Sequence, residues 1–206
     1  MKKLFLTLCV AFIGVSAFAQ DSFFSNVKYV ISVSYIARKS GEPFDSDKAG
    51  LHIGANLIKP FWASNNEKFD LYGLAGLNYL GTGGSNGTDI TEGRDENDSF
   101  TANVLSIPIH IGGTWYLNKH SIFVYLGPYV GYAIGGNDLE GLERKNFDFG
   151  VGVNVGYRFK TFALSVGYDK GLLSLGEFTM GDEKFDLKSD VTYIGFHWMF
   201  GCKKNK

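Results

Sequence analysis

The segment Phe147–Phe159 constrains the fold of this chain more than any other. Its odd positions are large and apolar or aromatic, and its even positions are small or polar. This period of two predicts a β-strand with two different faces, because a helix would scatter the same residues around its axis. The apolar face has aromatic residues at both ends and valines between them, which is typical of a lipid-facing strand. The glycine-rich face suits the crowded interior of a small closed barrel.

The beginning of the chain has the three parts of a secretory signal peptide. Two lysines precede an apolar run that extends to about residue 15, and a small-residue pattern ends at Ala19. We therefore predict that residues 1–19 are removed by cleavage between Ala19 and Gln20, and that residues 20–206 form one domain. A membrane anchor is the alternative, but about a dozen apolar residues are too few to span a bilayer.

Composition and cysteine content narrow the class of protein. Glycine supplies 27 of the 206 residues and aromatic residues 16%, with only 4 prolines, which favours many strands over disorder. The formal net charge of -1 leaves no basic surface for nucleic acid. After the predicted cleavage Cys202 is the only cysteine, so no intrachain disulfide is possible. No later stretch is long and apolar enough for a transmembrane helix, and a closed barrel remains.

Seven further segments alternate like Phe147–Phe159. They cover about Val27–Arg38, Ala49–Lys59, Phe69–Leu80, Phe100–Tyr116, Ser121–Ile134, the residues from Phe162 to Asp169, and Val191–Phe200. The gaps after the first, third, fifth and seventh strands are long and polar, and the others are short. Outer-membrane barrels show this pattern of long extracellular loops and short periplasmic turns. The predicted fold is all-β: an eight-stranded antiparallel up-and-down transmembrane β-barrel in the outer membrane.

Two local features carry predictions of their own. Pro108 lacks a backbone donor, so we predict a bulge or local irregularity in its strand. The polar segments Gly81–Ser99, Gly135–Asn146 and about Ser174–Lys188 are predicted to be loops. Most acidic residues lie in the long loops and several lysines lie at the opposite end. We interpret both groups as ordinary solvated surface, with a divalent-cation or lipid-headgroup role as the alternative.

Several polar side chains point into the lumen by strand parity. The candidates are Lys28, Arg38, His52, Asp148, Arg158 and Asp169. The interior of an eight-stranded barrel is filled by side chains, and isolated buried charges are costly. We therefore expect these charges to pair or to reach water, in a polar and largely plugged lumen that is not an open channel.

Three histidines also point inward by parity, and they raise the question of a metal or acyltransferase site. Counting along the strands places His52 nearer the outer rim than His110 and His197. This predicted separation argues against one ligand cluster and favours a role as polar lumen residues.

Three short segments resemble a known family. They are Leu105-Ser106-Ile107-Pro108-Ile109, Tyr125-Leu126-Gly127-Pro128-Tyr129 and Phe147-Asp148-Phe149-Gly150. Together with the Ala-Gln end of the signal peptide they resemble the PorT-like outer-membrane β-barrel family of Bacteroidota, over essentially the mature chain. The resemblance implies an eight-stranded barrel in the outer membrane and brings no catalytic residues. The name-giving member is associated with a protein-secretion apparatus, which implies envelope or secretion-system proteins as partners.

Two motifs of common metal and redox enzymes are absent from the sequence. There is no H-E-x-x-H and no C-x-x-C. The first hypothesis is a monomeric outer-membrane barrel with a structural or binding role, surrounded by outer-membrane lipid, without cofactor or metal and not an enzyme. One alternative is a membrane-embedded lipid-modifying enzyme, which needs a serine, a histidine and an acid near one rim. The others are a narrow pore, disfavoured by the strand number, and a soluble lipocalin-like carrier.

Overall fold

A computed structural model describes residues 27–38, 46–85, 99–135, 142–180 and 183–201. The strands are β1 (Lys28–Arg38), β2 (Ser46–Ala63), β3 (Phe69–Ser85), β4 (Ser99–Leu117), β5 (His120–Gly135), β6 (Leu142–Arg144), β7 (Phe147–Phe159), β8 (Phe162–Met180) and β9 (Glu183–Phe200). The predicted signal peptide, with Ala19 and Gln20, lies outside the described residues, as does Cys202. Within the described ranges no helix is long and apolar enough to cross a membrane.

Eight of these strands close into an antiparallel barrel, which confirms the predicted fold class. Each long strand pairs with its neighbours along the chain. Closure comes from β1, which pairs with β9 from Tyr29↔Phe200 to Arg38↔Val191. The pairing between β7 and β8 ends at Gly150↔Gly171, and the three residues of β6 pair with β8 farther along, from Gly176 to Phe178. β6 was not predicted, because the segment Gly135–Asn146 was expected to be a loop. Residues 136–141 of that segment lie outside the described residues.

The two faces of each strand differ as the alternation predicts. On β7, Val151, Val153 and Val155 are exposed by 44%, 42% and 51%, whereas Asp148 and Asn154 are exposed by 1% and 0%. Similar exposed isoleucines, valines and leucines continue around the barrel on the other strands. So large a continuous apolar surface requires a hydrocarbon environment. It is incompatible with a soluble lipocalin-like carrier.

The predicted loop at about Ser174–Lys188 is wrong. β8 runs to Met180 and β9 begins at Glu183, and the two strands stay paired through Glu177↔Asp186. The alternation is lost here because strands that have left the lipid no longer need an apolar outer face. The ends of the predicted loop Gly81–Ser99 also belong to strands, because β3 extends to Ser85 and β4 starts at Ser99. Residues 86–98 of that loop lie outside the described residues.

Tight turns connect the strands at the opposite end, called the short-turn end below. Asn118–Lys119 joins β4 to β5 and Lys160–Thr161 joins β7 to β8. Asn118 and Lys160 both have φ of 56°, and this left-handed conformation suits a two-residue hairpin turn. Because the short turns of such barrels face the periplasm, this end is the periplasmic one.

Pro108 interrupts the ladder without shifting it. Between β3 and β4 the pairing runs to Ala75↔Ile109 and resumes at Asn78↔Ser106 in the same register. The predicted local irregularity is therefore present as a gap, and no extra residue is inserted there. A missing proline donor weakens the pairing locally but leaves the strands aligned.

Candidate functional site: the lumen and its rims

Side chains fill the lumen in three layers. The apolar layer on the short-turn side of the lumen comprises Val30, Ile58, Tyr72, Leu74, Phe123, Ala163 and Met199, with Tyr125 packed against it. A second apolar layer at the long-loop end comprises Ile36, Val191 and Tyr193, with Leu80 against it. Polar side chains lie between these two layers, so the apolar layers separate them from both ends of the barrel.

Glycines make room for the large rings in these layers. Four inward aromatic residues each lie directly across the ladder from a glycine on the next strand: Tyr72↔Gly112, Phe123↔Gly156, Tyr129↔Gly150 and Tyr193↔Gly167. In each pair a Cβ added to the glycine would overlap the aromatic ring. The glycine-rich face of β7 therefore accommodates rings from β5, as expected for a crowded lumen.

The polar layer surrounds an internal cavity of about 20 Å³. Its lining includes His52, His110 and His197 together, so the predicted separation of the three histidines is wrong. Ser32 of β1 pairs with His197, and Ser34 pairs with His52. The two histidines thus flank β1 only two residues apart. Counting from strand ends misplaced them because neighbouring strands of a tilted barrel are staggered.

The polar layer contains one buried serine–histidine contact. Ser165 Oγ lies 2.6 Å from His197 Nε2, and Asn154 Nδ2 donates to Ser165 Oγ at 3.1 Å. Each of these residues is at most 4% exposed. Sequence reasoning missed the pair because Ser165 and His197 are 32 residues apart on different strands.

Other polar atoms around the cavity have no hydrogen-bond partner among the described residues. They include Ser34 Oγ, His52 Nδ1, both ring nitrogens of His110, and Asp169 Oδ1. A polar cavity of this size can hold about one or two water molecules, each needing two or more polar neighbours. Within the described ranges no group of three or more His, Cys, Asp or Glu residues is arranged to hold a metal ion.

A charged network closes the lumen at the short-turn end. Lys28 Nζ lies 3.4 Å from Asp70 Oδ2 and donates to Tyr116 Oη at 3.1 Å, while Tyr116 Oη donates to Asp70 Oδ2 at 2.6 Å. The Arg158 guanidinium lies 5.3 Å from the centre of the Tyr116 ring. Lys28 and Arg158 were predicted to face the lumen, whereas Asp70 was not. Asp70 has the same strand parity as the inward-facing Tyr72 and Leu74, and this pattern in the sequence could have identified it.

The remaining predicted lumen residues lie elsewhere. Asp148 is buried, and its Cβ approaches the position of a Cβ on Gly131 to 3.2 Å. It is ten residues from Arg158 on β7, so these two charges do not pair with each other. Asp169 lines the cavity with His52. The backbone of Arg38 ends β1 opposite Val191, and its side chain is outside the described part of the structure.

Comparisons with known proteins agree with this architecture. The family described as "Outer membrane protein beta-barrel domain" matches residues 11–177. Among curated proteins, none matches the sequence. Among solved structures the outer membrane enzyme PagL is similar at 15% identity, over 82% of this chain and 98% of that chain, with a TM-score of 0.54.

Two other solved structures are similar at lower TM-scores. OprG from Pseudomonas aeruginosa is 13% identical over 84% of this chain and 95% of that chain, with a TM-score of 0.49. Ail of Yersinia pestis is 14% identical over 84% of this chain and 98% of that chain, with a TM-score of 0.39. Likenesses at such identities show the fold alone.

The PagL structure corrects one prediction. The sequence was interpreted as that of a non-enzyme on the absence of the H-E-x-x-H and C-x-x-C motifs. PagL is an outer membrane enzyme with the same kind of barrel, so neither the fold nor those missing motifs excludes catalysis, and that prediction is wrong. The apolar belt, the closed ladder and the family match together place the protein in the outer membrane, and the chain belongs to the outer membrane protein β-barrel domain family.

Proposed function

We propose that this protein is a non-conducting barrel with a structural or binding role, which it exerts through the part that projects beyond the membrane at the long-loop end. The observation that carries the proposal is the lumen filled by side chains. Its polar cavity of about 20 Å³ lies between two apolar layers, and a charged network covers the short-turn end. Contacts with other molecules therefore take place on the outside of the barrel.

The strands give this projection its size. On β8 the lipid-facing Tyr168 belongs to the aromatic girdle of the long-loop end, and the strand continues to Met180. The partner strand β9 covers the same extension in nine steps, from Thr192 to Glu183, because irregularities between Lys170 and Gly176 add residues to β8. Nine steps correspond to roughly 30 Å of strand at about 3.3 Å per residue. β9 pairs with β8 along this extension as far as Met180↔Glu183. A paired extension of this length offers a stable surface for a partner.

The PorT-like resemblance supplies the finer proposal. It suggests that the partner is an envelope protein of a secretion system and that the barrel itself is a monomer surrounded by outer-membrane lipid. The family match and the solved structures concern the barrel only, so the support for this step is the resemblance of the sequence segments.

Two measurements test the proposal. Planar bilayers containing the purified protein should show no unitary conductance, because no water-wide path crosses the filled lumen.

Replacement of residues 171–189 by Asn-Gly would join the register partners Lys170 and Asp190 by a short turn. This variant should still show heat-modifiable migration on a denaturing gel but lose the partners that cross-link to the full-length protein in native membranes. Steady channel openings, or an unchanged set of cross-linked partners, would contradict the proposal.

A lipid-modifying enzyme is the second candidate, and the Ser165–His197 contact is the observation that favours it. A histidine nitrogen 2.6 Å from a serine hydroxyl can accept its proton as the oxygen attacks the carbonyl carbon of an ester. The ester C–O bond then breaks, the alcohol leaves with that proton, and water hydrolyses the acyl-serine to release the fatty acid. The pair lies on the lumen side, so an acyl chain would have to enter the barrel. Fatty-acid release from phospholipid micelles, measured by mass spectrometry, should then be lost in Ser165→Ala. Absence of release by the unmodified protein, or equal release by Ser165→Ala, would exclude this activity.

A further inference from the structure

Two tight turns at the short-turn end bring positive side chains together. β5 begins at His120 and β7 ends at Phe159, and these two residues are register partners. Lys119 directly precedes His120, and Lys160 directly follows Phe159. Both lysines are exposed. The turn sequences Asn118-Lys119 and Lys160-Thr161 contain no acidic residue, so neither turn supplies a carboxylate to neutralise these ammonium groups.

The ring of His120 is held in place on the outer face, next to the two turns that carry these lysines. Its Nδ1 is hydrogen-bonded to the hydroxyl of Tyr157. The ring stacks on Tyr157 at 5.5 Å and on Phe159 at 5.1 Å between ring centres. When the tyrosine hydroxyl donates to Nδ1, the ring proton resides on Nε2. Nε2 is then a fixed donor at the rim.

Lys160 is positioned against the same girdle. Its Nζ lies 5.1 Å from the centre of the Phe159 ring, a distance typical of a cation–π contact. This contact holds the ammonium group near the height of the aromatic residues. Aromatic girdles of outer-membrane barrels lie at the boundary between hydrocarbon and headgroups. The His120 ring and the Lys160 ammonium group therefore lie where lipid phosphates are found, and Lys119 lies in the adjoining turn.

An apolar strip runs from this point toward the middle of the membrane. On the outer faces of β5 and β7 the register partners are Ile122↔Tyr157, Val124↔Val155 and Leu126↔Val153. Most of these side chains are exposed on the lipid side. A headgroup bound at the turns would have its acyl chain along this strip, which a free phosphate ion would not use.

We propose that Lys119, His120 and Lys160 bind the phosphate of a glycerophospholipid in the periplasmic leaflet. Two ammonium groups and one imidazole donor match a phosphate diester, which accepts charge-assisted hydrogen bonds through its unesterified oxygens. The strip between β5 and β7 contacts the acyl chain. This role replaces the interpretation of these two lysines as ordinary solvated surface.

The test uses native mass spectrometry of the detergent-solubilised protein with added dioleoyl phosphatidylglycerol. The double variant Lys119→Gln/Lys160→Asn removes both charges, and asparagine tolerates the left-handed backbone at position 160. Binding of the lipid should weaken about tenfold or more, because two charge-assisted contacts are lost. Tyr157→Phe removes the group that holds His120 and should weaken binding by several-fold. Heat-modifiable migration verifies that each variant is folded.

The matched control is Lys59→Gln/Lys68→Gln, which removes two positive charges from another part of the same end. It should leave lipid binding within about twofold of the unmodified protein. Equal weakening by both double variants would show a diffuse charge effect and overturn the site. Equal binding of dioleoylglycerol, which lacks the phosphate, would overturn it too. Displacement of the lipid by inorganic phosphate at the lipid's own binding concentration would identify a free-phosphate site instead.

Discussion

At the scale of single residues, this barrel depends on glycines placed opposite aromatic rings. Phe123 of β5 lies across from Gly156 of β7 and belongs to the apolar layer that blocks the lumen. Alternation alone predicted that the glycine face would be inside. It could not predict which ring covers which glycine, because that depends on the register between strands.

Gly156→Ala should destabilise the barrel by about 1–3 kcal/mol, the usual range for overpacking. An added Cβ would lie 2.6 Å from Phe123 Cε1 and 2.7 Å from the backbone oxygen of Leu164. Urea unfolding in phospholipid vesicles, followed by tryptophan fluorescence, measures the change in the free energy of unfolding.

Gly73→Ala is the matched control, since nothing lies within 4 Å of a Cβ at that position. Its effect should stay within about 0.5 kcal/mol. In a Phe123→Ala background the penalty of Gly156→Ala should become smaller, because the clash with the ring is gone and only the close approach to the Leu164 backbone oxygen remains. An equal penalty in both backgrounds would mean that the Phe123 ring is not the obstacle.

At the scale of strands, the alternation located every membrane-spanning segment but underestimated several strand lengths. β7 begins and ends as predicted, at Phe147 and Phe159, because lipid borders its whole outer face. β8 and β9 extend well beyond their predicted limits, since the extension lies in water and its outer face has no apolar requirement. Backbone pairing continues there without a sequence period to reveal it.

The closing seam between β1 and β9 provides a test at this scale. Val33 and Phe196 are register partners on the lipid face, and directly opposed Cα atoms in such ladders lie about 4.5–5.5 Å apart. Val33→Cys/Phe196→Cys, made with Cys202→Ser, should therefore form a disulfide. Proteolysis in a loop followed by a non-reducing gel would show fragments that remain covalently joined.

The control pairs Tyr35→Cys with Phe196→Cys, which is two residues out of register on the same face. Diagonal positions about 7–8 Å apart exceed the reach of a disulfide. Cross-linking of the control, with none in the matched pair, would place the seam in a different register.

At the scale of the whole molecule, the two girdles have different chemistry. All 3 tryptophans of the chain, Trp62, Trp115 and Trp198, lie on the outer face near the short-turn end. Phenylalanines accompany them, and Phe69 lies 4.6 Å from Trp115 between ring centres. At the long-loop end the lipid-facing rings are mainly tyrosines, such as Tyr35, Tyr132 and Tyr168.

Quenching by brominated phospholipids should therefore report one depth for all three indoles. Bromine near the headgroup end of the acyl chain should quench more strongly than bromine near the methyl end, because the girdle lies at the interface. Single-tryptophan variants, in which the other two are replaced by phenylalanine, should give the same order. A tryptophan quenched best by bromine at the chain end would contradict the interfacial position of this girdle.

Strand parity gives a direction for each candidate lumen residue but does not give its height in the barrel. The inward direction of Lys28, His52 and Asp169 follows from the period of two. The period of two does not predict which residues they contact. Lys28 forms an ion pair with Asp70, and His52 shares a cavity with His110 and His197. Such contacts involve strands that are distant along the chain, so no local pattern signals them.

The amino-acid sequence by itself determined the number of barrel strands, the face of each strand that meets lipid, and the setting in the outer membrane. It could do so because a uniform hydrocarbon outside and a crowded lumen inside impose one period on every strand. Only the tertiary structure decided which lumen residues lie at the same height, that the lumen is filled in layers, and that the turns carrying Lys119 and Lys160 lie next to His120. Those outcomes depend on the stagger between strands, which accumulates around the closed barrel and is not encoded in any single segment.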